Sequence, residues 1–431
     1  MSPTRTIQVK ALARVEGEGG LYVRIRGETI EEVQLSIYEP PRFFEAFLQG
    51  RSLEEVPDIV ARICGICPIA YQMSAVHALE MALGIEISPT VRQLRRLLYC
   101  GEWIESHMLH VHLLHAPDFF GCHSGIELAQ KFPREVTRGL RLKKHGNELL
   151  EALGGRAIHP INVAVGGFYR APRRDELTRL LPDLEWGLKA AVETTHWVAS
   201  FPFPAFEPAY EMVALTHPDE YPMNEGNIAS TGSLSISVDA YEAHFEEEHV
   251  AHSTALHSVQ IPGKTAYFVG PQARVNLNWE RLSPTARQTA KAIGFVAPCW
   301  NPYRSIVARC LEIVHAYEEA IEIISSYQPY APAREGTTFR EGEGWAATEA
   351  PRGLIYHRYR VDEAGKVTFA KIVPPTSQNQ RQIETDLRLQ LPDLLQHTDE
   401  EAARACERLI RCYDPCISCS THFLKLQVER V

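Results

Sequence analysis

Two Cys-x-x-Cys pairs stand at opposite ends of this chain. Cys64 and Cys67 lie in Arg62-Ile63-Cys64-Gly65-Ile66-Cys67-Pro68, and Cys416 and Cys419 in Asp414-Pro415-Cys416-Ile417-Ser418-Cys419. If the four sulphurs meet, the polypeptide must fold as one unit whose two ends close on each other. The local sequence favours this. A helical pattern precedes the first pair and Pro68 suits the first turn of the next helix, so Cys64 and Cys67 sit at a helix–helix junction. Gly65 there allows a backbone conformation that other residues avoid. In the second pair Asp414 is expected to cap a helix, with Pro415 its first residue and Cys416 in its first turn. Cys419, three residues on, then shares its face. A helix N-terminus favours the thiolate, which is the metal-binding form.

Four soft sulphur ligands suit zinc, copper(I), iron–sulphur or another thiophilic metal, and spacing does not choose among them. A structural zinc module brings its pairs within a few tens of residues; here about 350 intervene. The remaining cysteines (100, 122, 299, 310, 406 and 412) lie mostly in apolar helical stretches and read as small buried hydrophobes.

The chain has 431 residues, 45% of them hydrophobic and 23% charged, enough to bury a large core without disulfides or a structural metal. The net charge of −10 and the lack of a basic stripe argue against a nucleic-acid partner. No run of 18 apolar residues offers a membrane span, and the N-terminus has no signal-peptide core.

Residues 5–38 alternate as strands with a turn at Gly27-Glu28-Thr29. Helical patterns begin near 56, after the Ser88-Pro89 cap, over 134–153 (stopped by Gly154-Gly155), over 174–200, after Asn301-Pro302, and over about 381–412. Residues 354–373 read as a hairpin. The expected fold is α+β and predominantly helical, a long central helix bundle with small peripheral antiparallel sheets. It forms a single domain over 1–422, with 423–431 as a C-terminal extension.

Both cysteine motifs resemble those of the large (alpha) subunit of nickel–iron hydrogenases. The resemblance runs nearly end to end, through RVEGEGG, PPRFFEAFLQGR, SHMLHVHLLHAPDFFG, HPINVAVGGF, EAPRG, VPPTSQN and DPCISCSTH. PRFFEAF and RICGICPIAYQMSA look closest to the cytoplasmic, bidirectional, NADP-linked branch, the sulfhydrogenases. The resemblance implies reversible heterolysis of dihydrogen at a nickel–iron centre whose iron carries carbon monoxide and cyanide. Cys64 and Cys416 would be terminal nickel ligands, and Cys67 and Cys419 would bridge nickel and iron. Glu16 would relay the proton, with Cys416 or Arg352 as its first acceptor. Pro375 and Thr376 would surround the diatomic ligands, and Asp118 and Asp414 would fix Arg352. Glu45, the Ile372 carbonyl and His422 would hold a separate magnesium or iron ion. Position alone reads Glu16 as a solvated strand-end carboxylate, Arg352 as a surface arginine in a turn, Asp414 as a plain helix cap and Glu45 as a solvated helix residue.

The resemblance also implies partners: an iron–sulphur small (delta) subunit docking over the first motif, beta and gamma diaphorase subunits carrying iron–sulphur clusters, FAD and NADP, maturation proteins, and an endopeptidase that removes the tail after His422. With the tail attached, the C-terminal segment is expected not to close over the metals. Tyr71 stands where the family often has a histidine. His107, His110, His112 and His115 do not share one face and read as structural, and the run His244–His249 reads as a solvated charge run. The rival readings are a hydrogen sensor with little turnover, a non-catalytic relative such as the respiratory complex I subunit of the same fold, and a structural four-cysteine zinc protein.

Overall fold

The computed structural model describes residues 4–40, 42–330 and 332–421. Its centre is a set of long helices packed through buried apolar faces. Pro89–Leu109, Pro133–Gly154, Leu181–Ala199 and Ser305–Ser326 form the bundle, and Pro68–Leu83 lies beside them. Their ends follow the sequence signals. The Ser88 hydroxyl accepts from Val91 N at 3.3 Å with Pro89 in the first turn, Gly155 ends its helix at φ +84°, and the Asn301 side chain accepts from Tyr303 N. Along Pro89–Leu109, the expected apolar residues Leu94, Leu97, Leu98, Ile104 and Met108 are all buried.

Glycines set how closely this bundle packs. Gly146 lies against Gly101 of the neighbouring helix: a Cβ at 146 would stand 2.6 Å from the Gly101 carbonyl oxygen and 2.7 Å from Glu105 N. Beyond Leu109 the backbone widens into a π-helical stretch, His110–His115, before the short helix Ala116–Phe119. Helical widening of this kind is frequent at functional sites.

The N-terminal sheet pairs Thr4–Val9, Gly19–Arg26 and Thr29–Ile37 antiparallel. A second meander, Gly342–Ala350, Gly353–Val361 and Val367–Val373, contains the expected hairpin and one strand more. It is buried rather than peripheral. Its glycines allow the helix Pro68–Leu83 to lie directly on it, since a Cβ at Gly344 would collide with the Ala78 carbonyl oxygen. A four-stranded sheet includes one parallel pair, Phe268–Val269 beside Met212–Val213, so the sheets are not all antiparallel.

The single helix expected over 381–412 is two, Pro375–Leu394 and Asp399–Cys412. Thr398 starts the second with a capping box to Glu401, a local signal strong enough to end one helix and begin another. The run 174–200 is likewise two helices, Arg174–Thr178 and Leu181–Ala199. Residues 245–248 form a strand paired with His257–Gln260, rather than a solvated charge run.

Candidate metal centre

The loop after Val56–Ala61 carries Cys64, and Cys67 is the residue immediately before the helix Pro68–Leu83. The backbone N–H groups of Ile66 and Cys67 donate to the Cys64 sulphur at 3.3 and 3.4 Å. Gly65 does not use the left-handed region; a Cβ there would meet only the Ile158 side chain, at 4.0 Å. Glu102 caps the buried first turn of the next helix by accepting from Ile69 N at 2.6 Å and Ala70 N at 3.2 Å. Burial pushes its carboxyl well above the usual range.

The second pair arrives on a different local structure from the one expected. Asp414 is in the left-handed region at φ +51°, and the turn after it is a short 3₁₀ helix, Ile417–Ser420, with no side-chain cap. Cys416 is extended and pairs in parallel with Glu16, from the loop before the second strand. Ile417 N donates to the Glu16 carbonyl at 3.0 Å. Arg42 staples the two cysteine segments by donating to the carbonyls of Ile63 and Ser418.

The four sulphurs lie within 4.8 Å of one another and all are buried. Cys64 and Cys416 are 3.4 Å apart, Cys67 and Cys419 4.0 Å, and Cys416 and Cys419 2.8 Å; none is in a disulfide. Hydrogen bonds from the other three thiols hold Cys64 well below the usual thiol range. Burial, reinforced by those neighbours, pushes Cys416 far above it. A dry pocket cannot carry four thiolates without a cation among them. Soft donors from both ends of the chain therefore fit a thiophilic metal.

The surroundings are polar and fixed. The Glu16 carboxylate is 3.1 Å from the Cys416 sulphur and accepts from Ser418 N at 3.1 Å. Thr376, in the first turn of Pro375–Leu394, accepts from Cys416 N at 3.0 Å, and Pro375 beside it is buried. Arg352 is 2% exposed. Its Nε donates to the Asp414 carbonyl at 2.8 Å and one Nη to the Asp414 carboxylate at 3.2 Å. Its other Nη and the second Asp414 oxygen are buried and unpartnered. Sequence position gave Arg352 as a surface residue; it is a buried cation facing the sulphurs' charge, and burial, Asp414 and Cys416 are the largest influences on it.

Asp118 does not fix Arg352. It binds Arg411 at 2.7 and 2.8 Å and also pairs with Arg14. Despite its burial, Arg411 holds it below the usual carboxylate range. Its work is to tie the loop before Glu16 to the helix before Cys416, because Arg411 also donates to the Ala13 carbonyl.

Sequence reasoning missed the group that carries Arg352. Arg274 donates to the carbonyls of Ala350 and Pro351 at 2.8 and 3.0 Å, and is paired with Glu312 and Glu349. All three side chains are fully buried. The available signal was Arg309 and Glu312 inside the apolar helix opened by Asn301-Pro302.

Glu45 is buried, with its carboxylate accepting from Ile372 N at 2.8 Å. The two residues expected to share a second ion are thus adjacent, and His422 lies outside the described residues. Up to Thr421 the C-terminal segment packs against the N-terminal loop, Arg42 N donating to the Thr421 carbonyl at 2.6 Å, and the tail lies outside the described residues. The four histidines are structural in their contacts. His107 pairs with Glu312, His110 with the Arg411 carbonyl and His112 with the Met108 carbonyl, and His115 approaches Cys412. Tyr71 is buried with its hydroxyl unpartnered, tilted against the His357 ring.

Comparison with known proteins agrees with this geometry. The nickel-dependent hydrogenase family model matches residues 42–148 and 303–422. Sulfhydrogenase 1 subunit alpha of Pyrococcus furiosus is 33% identical, over 97% of this chain and 98% of its own. The beta subunit of the NAD-reducing hydrogenase HoxS of Cupriavidus necator is 27% identical, over 98% of this chain and 95% of its own. A crystal structure of an NAD⁺-reducing [NiFe]-hydrogenase in the H2-reduced state superposes with a TM-score of 0.86 at 24% identity, covering 97% of this chain and 99% of that one. With four buried cysteines gathered from both motifs and relatives matched along their whole length, this chain belongs to the nickel-dependent hydrogenase family, as a large, catalytic subunit.

Proposed function

We propose that this chain cleaves dihydrogen reversibly into protons and electrons at a nickel–iron centre held by Cys64, Cys67, Cys416 and Cys419. The gathering of these four sulphurs around one point carries the reading. When bound, the nickel–iron centre, with carbon monoxide and cyanide on iron, supplies the soft, electron-rich site at which dihydrogen is polarised.

The chain's own residues handle the proton and the geometry. The Cys416 sulphur takes the proton and passes it to the Glu16 carboxylate, 3.1 Å away. Ser418 N holds that carboxylate in place from the other side. Asp414 fixes the Arg352 guanidinium while leaving one Nη without a protein partner. That group orients dihydrogen or donates to a diatomic ligand. The Thr376 hydroxyl accepts from Cys416 N and so keeps its own hydrogen for cyanide, with Pro375 as the apolar wall. Glu45, the Ile372 carbonyl and His422 hold a magnesium or iron ion, and the 423–431 tail is removed on maturation.

Electrons leave through an iron–sulphur small subunit seated over the first cysteine loop. Exposed Ile158, Ile161 and Tyr169 beside that loop support this, because exposed apolar patches mark interaction sites. Diaphorase subunits carrying flavin, with NAD(P) as the distal carrier, and a cytoplasmic setting complete the proposal, and the NAD-reducing relative supports the nicotinamide carrier. Among the described residues no helix is long and apolar enough to cross a membrane.

Infrared spectroscopy of the matured complex tests the proposal. Metal-bound carbonyl and cyanide bands, together with hydrogen-dependent reduction of a soluble acceptor, are expected. The bands without turnover would favour a hydrogen sensor, and zinc with no bands would leave a structural site.

A further inference from the structure

A second constellation of ligand atoms lies apart from the four cysteines. His252, His257 and Glu384 each place one donor atom within 4.8 Å of the other two. They come from three segments: the loop before the strand His257–Gln260, the first residue of that strand, and the middle of the helix Pro375–Leu394. His252 Nε2 is 2.7 Å from a Glu384 oxygen, which also accepts from Leu35 N at 2.8 Å in the N-terminal sheet. The His252 and His257 rings meet edge to face, 5.7 Å between centroids.

His257 is what calls for explanation. It is 0% exposed, and neither ring nitrogen has a hydrogen-bond partner. Leaving a buried polar atom unsatisfied forfeits its bond to water with no return, and this ring leaves two. A histidine kept only for packing would place at least one nitrogen on a carbonyl, hydroxyl or carboxylate, as His107, His110 and His112 all do. Burial pushes the His257 imidazole down to about 4, so at neutral pH it is the uncharged ligand form.

We propose that His252, His257 and Glu384 form a further metal site, distinct from the cysteine centre and from the Glu45 ion, for a divalent transition ion of nitrogen–oxygen preference, zinc being the best fit. Two imidazoles and one carboxylate are a recurrent three-ligand set for zinc, with the fourth position left to water. Ligand atoms around a tetrahedral zinc sit roughly 3.4 Å apart, given bonds of about 2.0–2.1 Å. Small rotations of His252 and His257 therefore close the site. His252 is part-exposed, with 19% of its side chain reaching solvent, and gives the ion a route in. Sulphur is absent from the set, so the ion differs in class from one held by the four cysteines.

The ion would clamp three segments near the catalytic centre. Glu384 joins the N-terminal sheet to the helix whose first turn carries Thr376. His252 belongs to the loop in which Thr254 N donates to the Ile37 carbonyl, and Ile37 packs on Ile417 beside Cys416. Arg381, one turn before Glu384, pairs with Glu248, so this guanidinium is engaged elsewhere.

Cobalt(II) is the probe, because its visible spectrum separates nitrogen–oxygen ligation from thiolate ligation. The matured complex, its cysteine site already filled, is titrated with cobalt after dialysis against a chelator. One cobalt per chain that depends on His252 and Glu384 is expected, beyond any taken up at the Glu45 ion site, with ligand-field bands and no sulphur-to-cobalt charge-transfer band. His252→Asn and Glu384→Gln are each expected to weaken binding at least tenfold. The part-exposed His252 makes the first variant tolerant of folding. In the second, the amide oxygen keeps the bond from Leu35 N while the charge is lost. Zinc added in competition should displace the cobalt. No cobalt bound, or equal affinity in wild type and both variants, overturns the site.

Discussion

Cys416 meets four groups that have nothing to do with one another in sequence: its nitrogen meets Thr376, and its sulphur meets Cys64, Cys419 and Glu16. Replacing a soft thiolate ligand by a hydroxyl removes a ligand and not merely a contact. Cys416→Ser is therefore expected to lose nickel and at least 100-fold of activity while the protein stays folded, as read by elemental analysis and hydrogen uptake. Glu16→Gln is a different experiment. The amide can still accept from Ser418 N but does not take up a proton, so the metals should remain and hydrogen–deuterium exchange should fall by about 10²–10⁴-fold, the range for losing a positioned acid–base group. Exchange at the wild-type rate would remove Glu16 from the relay. The four cysteines were legible as a candidate metal set because cysteine spacing and motif order are strong signals. Their supports were less so. Asp414 looks like a helix cap, yet its left-handed backbone and its carboxylate both serve Arg352, a partner 62 positions away. Asp118 was matched to the wrong arginine, since nothing local in a sequence says which of several cations a buried carboxylate will meet.

At the level of elements, caps and breaks were readable while contacts between elements were not. Ser88, Asn301 and Gly155 each mark an end that chemistry alone foresees. The break between Pro375–Leu394 and Asp399–Cys412 was also written in the sequence, as Thr398 and Glu401, but continuous helical periodicity masked it. Glycines inside helices read as weak points. Gly146 is instead a point of close approach between Pro89–Leu109 and Pro133–Gly154. Gly146→Ala gains helix propensity of about 1 kcal/mol but forces two backbones apart, and overpacking costs about 1–3 kcal/mol. Steric cost should win, lowering the midpoint of denaturant unfolding. A midpoint at or above wild type would mean the helices can separate freely. Gly344, where the obstacle is the Ala78 carbonyl, should behave the same way.

Across the whole molecule, the decisive event is that the two ends of the chain meet. Arg42, Arg411 and the Glu16–Cys416 bridge tie them together at the surface of the site. Beneath it, the Arg274–Glu312–Glu349 group supports the strand end that presents Arg352. This buried group also sets a pH response. Despite full burial, Arg274 and His107 hold Glu312 down to about 2. Its contribution to stability is therefore complete above about 4.5 and is lost as pH falls toward 2. Glu349, pushed up by burial to about 7, works in the opposite sense, its contribution fading as pH rises through 7. Glu312→Gln leaves Arg274 short of charge and should cost about 3–5 kcal/mol at neutral pH. It should also flatten the acid limb of stability against pH in urea titrations. An unchanged acid limb would show that other carboxylates govern it. The overall fold class was legible, because long periodic helices dominate it. The burial of the 342–373 meander was not, since strands that face helices on one side and sheet on the other look like ordinary edge hairpins.

Nickel X-ray absorption on the matured complex tests the central claim most directly. Nickel surrounded by sulphur neighbours, with an iron atom just beyond them and the signal abolished in Cys416→Ser, is the predicted result. Nickel in a nitrogen–oxygen shell, or a four-cysteine site filled by zinc alone, would contradict it.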